Sequence, residues 1–334
     1  MKVSVPQYPD SRPAFPWLNT EQRPVLGSVL RAQSIGSFAV REISQTVTGR
    51  IAAVFDRSVY VDLGNQWICV GDATVGNGPV NLLLEPTPHP GVFGGLVVDQ
   101  TVRVCAGAVH LGERPLSIDT TAKVWSPPLV SDWTHDTLTR GLDALNVISR
   151  GRAPKQGLGV FLCSPGSELS DTRETRVCAP VVSELESWLR DRLVDMRCVE
   201  GVPESVQQLI GLGPGLTPSG DDFLGGVLIA LSLVQRRDIA ALLYADLCPR
   251  LLARTGPISR THLAAASAGQ GLETLHLAIN SVIEGNVEMI PDRLRHVDRI
   301  GCSSGWDALA GAYVVLRACL VQPAALHRSP LWTN

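Results

Sequence analysis

The sequence predicts an α+β protein in which a small β-rich region, an antiparallel sheet or a barrel, precedes a mainly α-helical region. Short β-branched or alternating segments, separated by turn residues, fill residues 25–128. Helical periodicity of apolar residues then dominates residues 129–334. The pair Pro127-Pro128 stands between the two patterns, where successive prolines stop strand pairing. We therefore expect a domain boundary at this point.

The individual elements are predicted from the amino end onward. Residues 1–24 should be an extended, proline-rich lead-in, and residues 25–33 a short helix. Strands are expected at residues 46–55, 59–63, 66–70, 80–84, 97–109 and 122–125. Helices are expected at residues 137–150, 180–194, 206–210, 220–234, 238–247, 259–268, 272–283, 291–297 and 305–320, with a strand as an option at 157–162.

Composition and charge exclude several classes of protein. With 45% hydrophobic and 18% charged residues, the 334-residue chain is neither disordered nor collagen-like. Its net charge of −3 provides no field that attracts nucleic acid or an anionic membrane. The longest apolar stretch, residues 223–234, is shorter than the roughly 18 residues of a membrane span. We expect a cytoplasmic protein with neither nucleic acid nor membrane as a partner, and homo-oligomerisation is left open.

Lysine is rare in this sequence. Only Lys2, Lys123 and Lys155 are lysines, against 26 arginines. Because none follows residue 155, the C-terminal half lacks a Walker-type phosphate lysine, a Schiff-base lysine and a Ser-x-x-Lys acylase. An anion bound there must be held by arginine, backbone N–H groups or a metal ion.

The most unusual segment is a glycine-rich loop that runs into a helix, GLGPGLTPSGDDFLGG at residues 211–226. Such a junction exposes unpaired N–H groups and is a ready anion site. A second junction, SGWDALAG at residues 304–311, repeats the Ser, Gly, Asp, Leu and Gly of residues 219–226 with an offset of 85 residues. The substrate-binding residues expected at the two junctions are Gly213, Gly215, Thr217, Ser219, Gly220, Ser303, Ser304 and Gly305.

The same junctions have a purely structural interpretation. Ser219 and Ser304 would be helix N-caps. Asp222 and Asp307, three residues later, would complete capping boxes, each cap stabilising its helix by roughly 1 kcal/mol. Because adjacent carboxylates repel phosphate, Asp221 and Asp222 either point away as caps or share a magnesium ion with the anion. Both interpretations are open.

Residues 254–262 supply charged groups between the junctions. Arg254 and Arg260 suit bidentate binding of carboxylate or phosphate, and His262 could be a general base. The structural alternative is a helix capped by Ser259, with solvated arginines and a satisfied histidine. The residues expected to be catalytic are Asp221, Arg260 and His262, with Arg254 among the substrate-binding residues.

These motifs resemble a known family. Residues 211–226, the segment GCSSGWDALAG at 301–311, and the turn Asn77-Gly78-Pro79 are similar to the smaller subunit of bacterial oxamate carbamoyltransferase, over about residues 25 to 320. The resemblance implies phosphorolysis of oxalurate to oxamate and carbamoyl phosphate in purine-ureide and allantoin degradation. It also implies other carbamoyltransferase subunits as partners and a small anionic substrate. Asn77, otherwise most simply a turn residue, joins the substrate-binding candidates.

Three functions remain open from the sequence. The first is a carbamoyl-transfer subunit that binds phosphate or carbamoyl phosphate at residues 213–222. The second is a magnesium-dependent hydrolase, somewhat similar to ADP-ribosylglycohydrolases, in which Asp221, Asp222 and Asp307 surround the metal, so that the junctions must converge. The third is a non-catalytic assembly subunit of a multi-subunit enzyme. No cofactor is certain, and magnesium is the one considered.

Overall fold

A closed β-barrel precedes a helical region along the chain. The computed structural model describes residues 29–64, 66–86, 91–105, 107–112, 116–162, 173–194 and 201–320. The predicted α+β class, with a β-rich part followed by a mainly helical part, is confirmed. The lead-in predicted over residues 1–24 lies outside the described residues. The domain boundary predicted near residue 128 stays a prediction.

Within the part of the chain that the structure describes, eight strands close the barrel and a ninth extends it. The strands are β1 (Leu30–Gly36), β2 (Val47–Val54), β3 (Ser58–Asp62), β4 (Trp67–Gly71), β5 (Asn81–Leu84), β6 (Thr101–Cys105), β7 (Ala108–Leu111), β8 (Leu116–Asp119) and β9 (Lys123–Trp125). Their order is β5-β4-β3-β2-β6-β7-β8-β1, and β1 pairs again with β5 to close the ring. Strand β9 continues the pairing of β1 beyond β8.

The barrel departs from the sequence predictions at three points. The helix predicted at residues 25–33 is wrong from Leu30 onward, because that segment pairs with three other strands as β1. The segment 97–109 is not one strand, since a turn at Gly107, whose φ is 80°, separates β6 from β7. The barrel is also not purely antiparallel, since β4 and β5, β1 and β8, and β1 and β9 pair in parallel.

Alternation along the strands separates the barrel interior from the face that meets the helices. Val59 and Val61 of β3, and Ile68 and Val70 of β4, are fully buried in the barrel core. Successive strand side chains point to opposite faces. Tyr60, which lies between the two valines, therefore points out of the barrel toward the helical region.

Among the described residues, the helical region contains eight α-helices, and one short α-helix precedes them at the barrel. The helices are α1 (Ser37–Ile43), α2 (His135–Ser149), α3 (Arg173–Val194), α4 (Ser219–Leu233), α5 (Arg237–Arg254), α6 (Pro257–Ser267), α7 (Glu273–Ile283), α8 (Ile290–Val297) and α9 (Ser304–Leu320). The segments Gly159–Leu162 and Glu204–Leu209 are 3-10 helices. The optional strand at 157–162 is therefore wrong, whereas a helix does lie at the segment predicted over 206–210, in the 3-10 form. Within the described residues, no helix is long and apolar enough to cross a membrane.

Helices α4 and α9 cross at the centre of the helical region and are buried along most of their length. A Cβ atom added at Gly226 would lie 1.8 Å from the carbonyl oxygen of Ala308. A Cβ atom added at Gly311 would lie 1.9 Å from the carbonyl oxygen of Phe223. The 85-residue offset relates the two contacts to each other, since Gly311 is equivalent to Gly226 and Ala308 to Phe223. The two helices therefore meet through the same close approach in both directions.

Several polar contacts join the barrel to the helices. The carbonyl oxygen of Pro79 accepts hydrogen bonds from the first turn of α1, at 2.9 and 3.0 Å. Asn77 donates its amide to Glu273 of α7 at 3.0 Å, and Ser37 donates to Gln270 at 2.5 Å. These bonds fix the outer face of β3 and β4 against the helical region.

Candidate functional site

A cavity of about 720 Å³ lies between the outer face of the barrel and the helical region. The barrel contributes Tyr60 and Cys69 from the adjacent strands β3 and β4. The helical region contributes apolar side chains from α4, α6, α7 and α9, among them Ile229, Leu263, Leu275 and Ala308. The two sequence junctions contribute the polar side chains of Thr217, Asp221, Asp222 and Ser304.

The glycine-rich loop is shaped by left-handed backbone conformations. Gly211, Gly213 and Gly215 have φ values of 71°, 109° and 100°. An added Cβ at Gly211 would lie 2.1 Å from the carbonyl oxygen of Arg254, so a side chain does not fit there. The loop leads Leu216 and Thr217 to the cavity before α4 begins.

The capping interpretation of the first junction is wrong. Helix α4 begins at Ser219, its N-cap is Pro218, and no side chain caps it. Proline has no side-chain acceptor that could cap the helix. Because the helix begins at Ser219, Asp222 is its fourth residue and not the third residue that a capping box requires. The N–H of Gly220 donates to Leu212 at 2.9 Å, and the N–H of Asp221 donates to Pro218 at 2.9 Å. These first-turn donors are therefore already used within the protein.

The two repeated junctions converge. The hydroxyl oxygens of Thr217 and Ser304 lie 3.1 Å apart. The hydroxyl of Ser304 also hydrogen-bonds to the carboxyl of Asp222 and lowers its pKa, and the hydroxyl of Ser219 does the same to Asp307. Each aspartate thus interacts with the serine of the other junction, which explains why the serine and aspartate recur together at the same spacing.

The three aspartates at the junctions differ in how far their oxygens are satisfied. Asp307 is fully buried and accepts from the Leu158 N–H at 2.5 Å and from the Ser303 hydroxyl at 2.9 Å. Asp221 accepts from the Gly211 N–H at 2.8 Å and from the Thr255 hydroxyl. The carboxyl groups of Asp307 and Asp221 are therefore hydrogen-bonded to other residues of the protein.

Asp222 is different, because it lines the cavity and one of its oxygens is unsatisfied. Its Oδ2 atom is buried and has no hydrogen-bond partner among the described residues. Burial raises the pKa of its carboxyl well above the usual range. The hydroxyls of Ser304 and Thr217 lower this pKa, whereas the negative charges of Asp307 and Asp221 raise it. Burial likewise raises the pKa of Asp221 and of Asp307, against their hydrogen bonds.

These carboxyl groups do not form a metal site. Within the described part of the chain, no three His, Cys, Asp or Glu side chains are grouped so that they could hold a metal ion. The reason lies in the bonds of Asp221, whose oxygens are turned to Gly211 and Thr255. The arrangement of Asp221, Asp222 and Asp307 around one magnesium ion therefore does not fit this geometry.

Opposite the junctions, the cavity carries a histidine and a tyrosine. His262 of α6 places its Nε2 atom 3.4 Å from the Tyr60 hydroxyl. Burial lowers the pKa of His262 to about 4, so its imidazole is neutral at pH 7. Burial raises the pKa of Tyr60 well above its usual value, and it raises that of the Cys69 thiol to about 12. This wall therefore carries polar groups without charge.

The remaining predicted site residues lie around the cavity rather than in it. Arg254 donates to the Gln207 carbonyl at 3.0 Å, and Arg260 donates to the Thr255 carbonyl at 2.8 Å. Asn77 is engaged with Ser34 and Glu273. The cavity-lining residues among those predicted are Thr217, Asp221, Asp222, His262, Ser304 and Gly305. The roles of all these residues stay predictions.

Sequence reasoning missed three residues of the cavity. Ser259 is not the cap of α6, which begins at Pro257 after Gly256, and its buried hydroxyl has no partner among the described residues. Tyr60 could have been placed on the outer barrel face from strand alternation, but not against α6. Arg299 lines the exposed edge of the cavity, where it has no ion-pair partner within the part of the chain described. Arg57, on the same lining, pairs with Asp72 at 3.0 Å.

Comparison with known proteins bears on the helical half of the molecule. Residues 209–316 match the family model described as oxamate carbamoyltransferase subunit AllH. This segment runs from the end of the second 3-10 helix to α9 and contains both junctions, but not the turn at Asn77. No curated protein and no solved structure matches the chain. The family predicted from the motifs is therefore confirmed for this segment: residues 209–316 are similar to oxamate carbamoyltransferase subunit AllH.

Proposed function

We propose that this chain forms the site that binds the carbamoyl-bearing substrate in a multi-subunit oxamate carbamoyltransferase. The reaction is the phosphorolysis of oxalurate to oxamate and carbamoyl phosphate, or a closely related carbamoyl transfer. The observation that carries the proposal is the convergence of the two Ser-Gly-x-Asp junctions on one cavity. Capping alone would not require this convergence.

The cavity has the donors that carbamoyl transfer needs. In the reaction, a phosphate oxygen attacks the carbamoyl carbon, and the bond from that carbon to the ureido nitrogen breaks. The proton of hydrogenphosphate passes to the leaving nitrogen, so that oxamate leaves as an amide. Negative charge develops on the carbamoyl oxygen during the attack, and fixed donors stabilise it. Thr217 and Ser304 line the cavity, and for this role the hydroxyl of one of them turns from Asp222 to the carbamoyl oxygen.

Charge orients the substrate in the cavity. The junction wall contains Asp221 and Asp222, Asp307 acts electrostatically on Asp222 from outside the lining, and the first-turn N–H groups of α4 are largely used. An anionic group is therefore repelled from this wall and attracted to the exposed edge, where Arg299 lies. The uncharged carbamoyl end then faces Thr217 and Ser304, close to neutral His262.

A cavity-filling variant tests the proposal. Gly225 of α4 lines the cavity, and a Cβ atom added there would meet only Ala266 at 3.9 Å. Gly225→Leu should fold and fill the space where the substrate binds. In the enzyme reconstituted with its partner subunits, formation of carbamoyl phosphate from oxalurate and phosphate should fall at least about 100-fold.

Gly201→Leu is the matched control, because an added Cβ at Gly201 meets no atom within 4 Å and the residue is not part of the cavity lining. This variant should retain full activity. If Gly225→Leu assembles with its partners and also retains activity, the cavity does not bind substrate and the chain acts as an assembly subunit. Thermal unfolding and co-purification confirm that each variant is folded and assembled.

A further inference from the structure

Asp222 and Ser259 present the unsatisfied hydrogen-bonding groups of the cavity lining. The Asp222 Oδ2 atom and the Ser259 hydroxyl are buried, and neither has a well-formed hydrogen bond among the described residues, although the Ser259 hydroxyl lies close enough to the Asp221 carboxyl to lower its pKa. Ser259 is 1% exposed. Buried polar atoms are normally hydrogen-bonded, and a buried group without a partner has a free-energy cost because it has lost its bonds to water. A ligand that fills the cavity and bonds to both atoms would remove this cost.

The repeat provides an internal comparison for Asp222. Asp307 occupies the equivalent position of the second junction, yet both of its oxygens are engaged by Leu158 and Ser303. It also does not line the cavity. One member of the repeated pair is therefore built into the protein, whereas the other keeps an oxygen available at the cavity.

We infer that Asp222 makes this cavity specific for a ligand group that carries an N–H donor, a primary amide or carbamoyl group, over a carboxylate of the same shape. The inference rests on the proposed function and names the residue that sets its substrate class. The amide N–H donates to Asp222 Oδ2, and the amide carbonyl accepts from the Ser259 hydroxyl. Both unsatisfied atoms are then paired by one planar group.

The same aspartate rejects a carboxylate. A ligand carboxylate has no N–H for Asp222 Oδ2, and the negative charges of Asp221 and Asp307, which already raise the pKa of Asp222, also disfavour a second negative charge beside it. Like charges placed together in a buried site are strongly unfavourable. Selectivity thus combines an attractive bond to one group with repulsion of its closest isostere.

Oxamate and oxalate are the probes that test this inference, since they differ by one amide in place of one carboxylate. Their dissociation constants are measured by isothermal titration with the reconstituted enzyme. The wild type should bind oxamate at least about tenfold more tightly than oxalate. Asp222→Asn can donate an N–H to a carboxylate, so it should weaken oxamate and strengthen oxalate, each by about tenfold.

Asp143→Asn is the matched control, because Asp143 is exposed on α2 and remote from the cavity lining. It should keep the wild-type preference. Wild-type binding of N,N-dimethyloxamate, which lacks the N–H, provides a second measurement that needs no variant and should be weaker than that of oxamate.

The outcomes separate the two claims. If the wild type binds neither probe, the proposed function fails and the inference fails with it. If the wild type binds oxamate but Asp222→Asn keeps the same preference over oxalate, the inference is overturned and the proposed function stands. Equal wild-type affinity for oxamate, oxalate and the dimethyl compound also overturns the inference.

Discussion

The carboxyl group of Asp307 should support the fold far more than that of Asp222, although the two occupy equivalent positions in the repeat. Asp307 accepts from the Leu158 N–H at 2.5 Å and from the Ser303 hydroxyl at 2.9 Å. These bonds connect the start of α9 to Leu158, the residue before the 3-10 helix Gly159–Leu162. Asp222 Oδ2 has no partner among the described residues, so its replacement breaks no bond at that atom.

The hydrogen bonds of Asp307 set the loss of unfolding free energy that its replacement should cause. Asp307→Asn retains one acceptor oxygen but replaces the other with an NH₂ group that faces a donor. Loss of a hydrogen bond to a charged group costs about 1.5–3 kcal/mol, and a buried unpaired donor costs about 1–3 kcal/mol more. We expect Asp307→Asn to lower the free energy of unfolding by about 3–5 kcal/mol. Asp222→Asn should not lower it, since the neutral amide avoids the cost of burying a carboxylate whose pKa is raised.

Chemical and thermal unfolding of the two variants, followed by circular dichroism at pH 7, provide the assay. Asp143→Asn on the surface of α2 serves as the common reference. If Asp222→Asn and Asp307→Asn lower the stability equally, the two side chains carry the same structural bonds and the difference inferred between them is wrong.

Three further predictions concern packing and pH. Gly311→Ala should lose at least about 3 kcal/mol of stability in thermal unfolding, because the new Cβ would lie 1.9 Å from the Phe223 carbonyl oxygen. Gly225→Ala should lose less than about 1 kcal/mol. Equal losses would contradict the close crossing of α4 and α9. Since the folded pKa of Asp222 is raised, the unfolded carboxyl ionises first, so the wild type should lose stability relative to Asp222→Asn as pH rises from 4 to 7. A constant difference would contradict that shift. His262 has a lowered pKa of about 4, so the wild type should lose stability relative to His262→Gln as pH falls from 6.5 to 4, and an imidazole titration midpoint near 6.5 by NMR would contradict its burial.

Local sequence patterns predicted the order and type of most elements. The apolar periodicity of residues 220–234 and 305–320 predicted α4 and α9 to within one residue at each end. Strand β1 was missed because its pairing with β5, β8 and β9 joins residues far apart in the sequence. Short apolar segments cannot be assigned to helix or strand by periodicity alone, since tertiary pairing decides between them.

The candidate site was predicted in part. The repeat at residues 219–226 and 304–311 identified the two junctions that the fold brings together. The spacing could not distinguish Asp222 from Asp307, because the difference depends on Leu158, a residue that reaches Asp307 only through the tertiary fold. Tyr60 was missed for the same reason, since its contact with His262 joins the barrel to a helix 202 residues away.

The position of a bound ligand decides whether this chain provides the substrate site of the enzyme. A crystal structure of the reconstituted enzyme with oxamate should show the ligand in the cavity between the barrel and the helices, with its amide between Asp222 and Ser259 and its carboxylate toward Arg299. Oxamate bound only on a partner subunit, with this cavity filled by solvent, would contradict the claim that the chain provides the substrate site.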